Sequence, residues 1–229
     1  MRKLLIILSA VSLISFSAQA FDGSDVSITA GIAANSAVYG ATGKETARNE
    51  SNVINKVRKE SGVFVDSHAS GFIELNAGEF ISLGFEHTPD SISTPTNQRI
   101  TNTGGTTTVA ADFNDLNIAY LKLNIPGGMY FKAGIVETDV DVKESMASGS
   151  TYGNVSTEGT IVGLGYSKVL NDRVAIRFEG SYMEFDDVTT SNGVSATGAT
   201  VANSGRNQID VSNMEGLTGK VALTVTFGN

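Results

Sequence analysis

The chain has 229 residues, with 16 basic and 24 acidic side chains, a net charge of −8 at pH 7 and no cysteine. That balance argues against nucleic acid as a partner, and it leaves neither a disulfide framework nor lipid attachment through an N-terminal cysteine. Twenty-five glycines and three prolines, with abundant Thr, Ser, Asn and Val, favour strands and turns over helices.

In chain order, a cationic start at Arg2 and Lys3 precedes an apolar stretch from Leu4 to Ile14 and a small-residue site ending Ala18-Gln19-Ala20. This is the pattern of a secretory signal peptide over residues 1–20, with an apolar core too short to span a bilayer as a helix. The folded domain is then 21–229. Without Arg2 and Lys3, 14 basic residues face 24 acidic ones, a net charge of −10. After residue 20 no apolar run reaches helix-spanning length, so a place in a membrane requires a closed barrel.

The first strand sets Val26, Ile28, Ala30, Ile32 and Ala34 against Ser27, Thr29, Gly31, Ala33 and Asn35. Strands follow at about 62–75, 79–88, 113–125, 129–140 and 158–169. The seventh sets Val174, Ile176, Phe178, Gly180 and Tyr182 against Ala175, Arg177, Glu179, Ser181 and Met183. The eighth sets Leu217, Gly219, Val221, Leu223, Val225 and Phe227 against Thr218, Lys220, Ala222, Thr224 and Thr226. The period is two throughout, except near 113–125, where either parity carries apolar residues.

Short connections at Asn76-Ala77-Gly78, Pro126-Gly127-Gly128 and Leu170-Asn171-Asp172-Arg173 alternate with long polar ones at about 40–61, 89–112, 141–157 and 186–208. Turns at one end and loops at the other are the layout of an eight-stranded antiparallel up-and-down transmembrane β-barrel. In the first loop, Thr46 to Lys59 lacks turn formers and places Val53, Ile54 and Val57 at helical spacing, which predicts a short helix. The tract Asn102 to Thr108 reads as mobile.

Periodicity alone does not distinguish a soluble barrel from a membrane barrel, in which the apolar face turns outward. Residue size favours the second. Gly31, Ala33, Gly84, Gly134, Gly163, Gly165 and Ala222 on the mixed face would leave space for Glu74, Lys132, Arg177, Glu179 and Lys220 in a narrow lumen. Burial of charge demands partners, so the reading predicts that Lys and Arg of some strands meet Glu of others. Aromatic belts are expected from Phe80, Tyr130, Phe131 and Phe227 at the turn end and Tyr39, Phe113 and Tyr182 at the loop end.

With these features in place, the chain resembles the small outer-membrane β-barrel family of the OmpA/OmpX and opacity-protein type. The resemblance rests most on the ending Val221-Ala222-Leu223-Thr224-Val225-Thr226-Phe227. That segment looks like the C-terminal signal, Val221, Leu223, Val225 and Phe227, read by the barrel-assembly machinery, although Gly228 and Asn229 follow the aromatic residue. The resemblance implies a monomer in the outer membrane, in contact with lipid and lipopolysaccharide. It also implies a role in envelope integrity, adhesion or, in some members, lipid-modifying catalysis.

Motifs for chemistry are sparse, so no enzyme activity, metal or cofactor is expected. Asp66, His68 and Ser70 share one face of the second strand and invite comparison with a Ser, His and acid triad, but about 6.6 Å of rise separates successive members. His68 is the best candidate for a lipid-modifying enzyme. His87 belongs to the apolar parity near a strand end. Asp139, Asp141, Glu144, Asp186 and Asp187 form either a solvated acidic rim or a weak cation site. The leading expectation is a structural or interaction protein presenting four loops; the alternative is a narrow channel for small solutes.

Overall fold

A computed structural model of the chain describes residues 26–48, 53–100, 106–145, 151–192 and 207–228. The signal segment 1–20 lies outside them. Eleven strands in chain order account for nearly all of the described residues: β1 (Val26–Arg48), β2 (Ile54–Ala77), β3 (Ile81–Thr88), β4 (Ile92–Ser93), β5 (Asn97–Ile100), β6 (Thr106–Asn124), β7 (Met129–Ser145), β8 (Val155–Val169), β9 (Val174–Phe185), β10 (Val188–Ser191) and β11 (Gln208–Phe227). Among the described residues there is no helix.

Eight of these strands close a ring in the order β1, β2, β3, β6, β7, β8, β9 and β11, with β11 returning to β1, every neighbour antiparallel. The short β4, β5 and β10 are additions at the loop end, pairing β6 and β11. This is the all-β, up-and-down barrel that the alternation predicts. Paired residues traced around the ring run from Ala30 through Ile73, Phe85, Ala119, Ile135, Thr160, Glu184 and Glu215 to Gly40, ten residues further along β1. Such a stagger tilts the strands by roughly 35–45° from the barrel axis.

The turns follow from local chemistry. Gly78, Gly127 and Gly128 have φ of 63°, 96° and 90°, values that a side chain disfavours. Asn171 accepts the backbone N–H of Arg173 and Val174 at 3.0 and 2.9 Å, closing the turn from β8 to β9 with its own side chain.

The loop end departs from the sequence reading. The helix predicted over Thr46 to Lys59 is absent: β1 continues to Arg48 and β2 begins at Ile54, and the two pair along this length. Two strands already in register satisfy each other's backbone groups by continuing to pair, which outweighs the helical spacing of Val53, Ile54 and Val57. Of the tract 102–108, residues 106–108 belong to β6 and the remainder lies outside the described residues. A further irregularity involves β2. β3 pairs it only as far as Gly71, opposite His87, while β4 and β5 pair β6 instead. Among the described residues, the segment Ile54 to Ser70 therefore has β1 on one edge and no ladder partner on the other.

Outside, the belt is apolar. Ile28, Ile73, Phe85, Leu121, Phe131, Leu164, Phe178, Val221 and Leu223 are all exposed, and the facing rows of the same strands are buried. Phe80, Tyr182 and Phe227 also stand outside, but Tyr39 and Tyr130, expected in the belts, point into the lumen and are buried. Both share strand parity with lumen residues, and on a strand parity decides the face.

Candidate functional site

The lumen is layered. Toward the turn end and the middle, four cations and three carboxylates meet, all between 1% and 9% exposed. Toward the loops they give way to an apolar layer built from Ala37, Tyr39, Ile92, Leu116, Ile118, Tyr120, Val136, Ile161 and Met183.

Glu74 on β2 receives Nη1 and Nη2 of Arg177 from β9 at 2.7 and 2.9 Å, a two-point clamp across the barrel. It also accepts Lys122 Nζ at 2.5 Å and the Tyr120 hydroxyl at 3.0 Å, both from β6. Glu86 on β3 accepts Lys220 Nζ at 2.6 Å, the Ser70 hydroxyl at 2.7 Å and Lys132 Nζ at 3.3 Å. Glu179 on β9 accepts the Ser181 hydroxyl at 2.7 Å, Lys132 Nζ at 2.8 Å and the Tyr130 hydroxyl at 3.0 Å, with Lys220 Nζ at 3.4 Å. Each carboxylate thus has several charge-assisted partners, the condition under which buried ions are tolerated.

Aromatic rings complete the lattice. Lys132 Nζ lies 4.5 Å from the Tyr120 ring centre, Lys122 Nζ 5.5 Å from that of Tyr130, and the Arg177 guanidinium 5.6 Å from that of Phe72. Contacts of this kind stabilise a desolvated cation. The small wall residues make room for these rings, which differs from the space for charges predicted above. A Cβ on Gly31 would stand 2.3 Å from the Phe72 ring, one on Gly84 2.2 Å from Tyr120, and one on Gly165 2.2 Å from Tyr130.

Of the lattice, Glu74, Lys132, Arg177, Glu179 and Lys220 were singled out by the sequence reading, whereas Glu86, Lys122, Tyr120 and Tyr130 were missed. Parity would have found Glu86, which alternates with the outward Phe85. Lys122 and Tyr120 were obscured by the mixed pattern of their strand.

Asp66, His68 and Ser70 all have lumen parity on β2. His68 Nδ1 lies 3.3 Å from Asp66 Oδ1, so the side chains do span the distance that rise alone leaves open. Ser70 turns away: it donates to Glu86 and accepts Asn35 Nδ2 at 2.9 Å. A serine committed to a salt-bridged carboxylate is not held by a histidine as a nucleophile must be. His87 has outward parity and lies 2.8 Å from Asn117 Oδ1. Asp139 and Asp141 are outward on β7, and Asp141 is held by Asn114 at 3.0 Å. Asp186 and Asp187 follow β9 on the surface, and the Glu144 side chain lies outside the described residues. Among the described residues no three acidic, His or Cys side chains converge on a metal position.

Among the described residues, the mouth is narrowed by packing. Tyr39 stacks on Phe64 with ring centres 5.3 Å apart, and with Ile92, Phe113, Leu116 and Met214 they border a cavity of about 30 Å³.

A closed sheet with greasy residues outside and a salt-bridged interior is a membrane-spanning barrel of the outer-membrane type. Comparison with one solved structure supports the fold. The outer membrane protein OprG from Pseudomonas aeruginosa matches with a TM-score of 0.55 at 13% identity, covering 87% of this chain and 97% of that one. AlkL, an outer membrane protein determined in lipid bilayers, matches at 0.48 and 10% identity over 94% and 96%. The outer membrane protease OmpT from Escherichia coli matches at 0.45 and 11% identity over 92% and 100%. No family model matches the sequence, and no curated protein matches it.

Proposed function

We propose that the chain resides in the outer membrane as a monomeric barrel with a structural or interaction role, offering its loop end to a partner and carrying no enzyme activity. Lipid and lipopolysaccharide meet its belt, and the row Val221, Leu223, Val225 and Phe227 serves the barrel-assembly machinery. The observation that carries this reading is the filled lumen: among the described residues an ion-pair lattice lies below and a packed apolar layer above, a filling that disfavours an ion path. Planar-bilayer recording tests it. Silent membranes are expected, and large stable conductance steps would overturn the reading.

A second reading is passage of small apolar solutes. It is supported by the lining of the mouth cavity, where Tyr39, Phe64, Ile92, Phe113 and Leu116 come together. Proteoliposome uptake of an apolar dye, slowed by Ile92→Asp, would favour it over the first.

A further inference from the structure

The ion lattice of the lumen divides into two groups of unequal charge. Lys132 and Lys220 bridge Glu86 and Glu179, two cations to two carboxylates. Arg177 and Lys122 both bond Glu74, two cations to a single carboxylate, and meet on its Oε2 at 2.9 and 2.5 Å. The hydroxyls that complete these groups are uncharged donors. One positive charge is therefore left over, and the contacts place it beside Glu74. The side chains of Lys122 and Arg177 are only 4% and 11% exposed, whereas Glu79 and Asp172, in the turns at this end, are exposed. Water screens those two carboxylates, so they do little for a buried cation.

The same group holds donors that lack acceptors. Among the described residues, Arg177 Nε and Ser82 Oγ have no hydrogen-bond partner although both atoms are buried. Ser82 is fully buried and stands directly opposite Lys122 on the neighbouring strand. Register partners on one face have Cβ atoms about 5 Å apart, so its hydroxyl shares one part of the wall with that lysine. Lys122 in turn gives Glu74 only one of its three N–H groups. A buried donor left unpaired costs the full desolvation of that group, and a surplus buried charge costs more.

We propose that this group binds one small monovalent anion of halide size, held by Lys122 and Arg177 Nε with the Ser82 hydroxyl as a further donor. Water would satisfy the donors and leave the charge. A phosphate or sulfate dianion would reverse the imbalance instead of removing it. Size points the same way, because the rings of Tyr130 and Phe72 stand 5.5 to 5.9 Å from these two cations and crowd the lumen around them. The anion completes the neutralisation of the lattice, so the stability of the barrel becomes halide-dependent. The charge-balanced group and the apolar layer lie above it, so the ion enters and leaves by the turn end and binding entails no conduction.

The test uses the full chain folded in detergent, washed free of halide and titrated with sodium chloride against sodium gluconate, whose anion is too large for the lumen, at constant ionic strength. Two quantities are followed: the temperature at which compact gel mobility is lost, and the chloride NMR line width, which broadens on exchange with a protein site. Both are expected to rise along one saturable single-site curve, with bromide able to replace chloride. Ser82→Ala should weaken the apparent affinity roughly tenfold. Lys122→Met removes the surplus charge and keeps the Arg177 clamp, so it should fold without halide and respond to none. A transition temperature indifferent to the choice of anion overturns the proposal, as does a halide response that survives Lys122→Met or an unchanged affinity in Ser82→Ala. Should Lys122→Met lose compact mobility, the Ser82→Ala titration decides alone.

Discussion

Arg177 clamps Glu74 through two N–H groups from β9, whereas Lys132 and Lys220 each bridge Glu86 and Glu179. Arg177→Met would leave Glu74 buried with Lys122 and Tyr120 only. A loss of about 3–5 kcal/mol is expected, measured as a lower urea midpoint for unfolding in detergent, and an unchanged midpoint would show that Lys122 suffices. At the loop end, Asp210 illustrates a milder case. The Gln208 amide, ahead of the Thr189 hydroxyl and Lys44, holds its carboxyl below the usual carboxylate value. A depressed value means that the stabilisation is complete above the unfolded carboxylate value and is lost as pH falls through the folded one. Lower protection factors for the β10 amides on acidification, a change absent in Asp210→Asn, are the expected outcome.

Strands were legible wherever one row was apolar and the other polar, as in β1, β9 and β11. β6 was legible as a strand over 113–125 but its faces were not, because Leu121 and Leu123 face outward while Leu116, Ile118 and Tyr120 line the apolar lumen layer, so both rows look greasy. The lumen residues were legible by parity on clean strands, whereas the pairing partners required register, which no single strand encodes. The upward extension of β1 and β2 was also hidden, since its charged and small residues read as loop. Wall glycines acquire a sharper meaning from the fold. Gly84→Ala forces the Tyr120 ring away from the wall and strains its hydrogen bond to Glu74. A cost of about 1–3 kcal/mol is expected, read as earlier loss of compact gel mobility on heating. Thr160→Ala, at an exposed outward position of β8, should leave that temperature unmoved.

At the scale of the whole molecule, β11 closes the ring on β1, and the interior is cross-braced by ions. The chain extracted in detergent is accordingly expected to run compactly before boiling and more slowly afterwards. Identical migration in both lanes would contradict a folded barrel. The apolar upper layer separates this lumen from a water-filled pore and gives the molecule something close to a conventional core inside a membrane wall.

The ion lattice joins residues far apart along the chain: 103 positions separate Glu74 from Arg177, and 134 separate Glu86 from Lys220. These bonds form only once the last strand has docked against the first. A slip of one residue in β6, β7, β9 or β11 would turn its lysine or arginine from the lumen into hydrocarbon and drive a lipid-facing side chain inward. The lattice therefore acts as a lock on the alignment of the six staves that carry it, and misassembled rings are rejected by the solvation energy of their own charges.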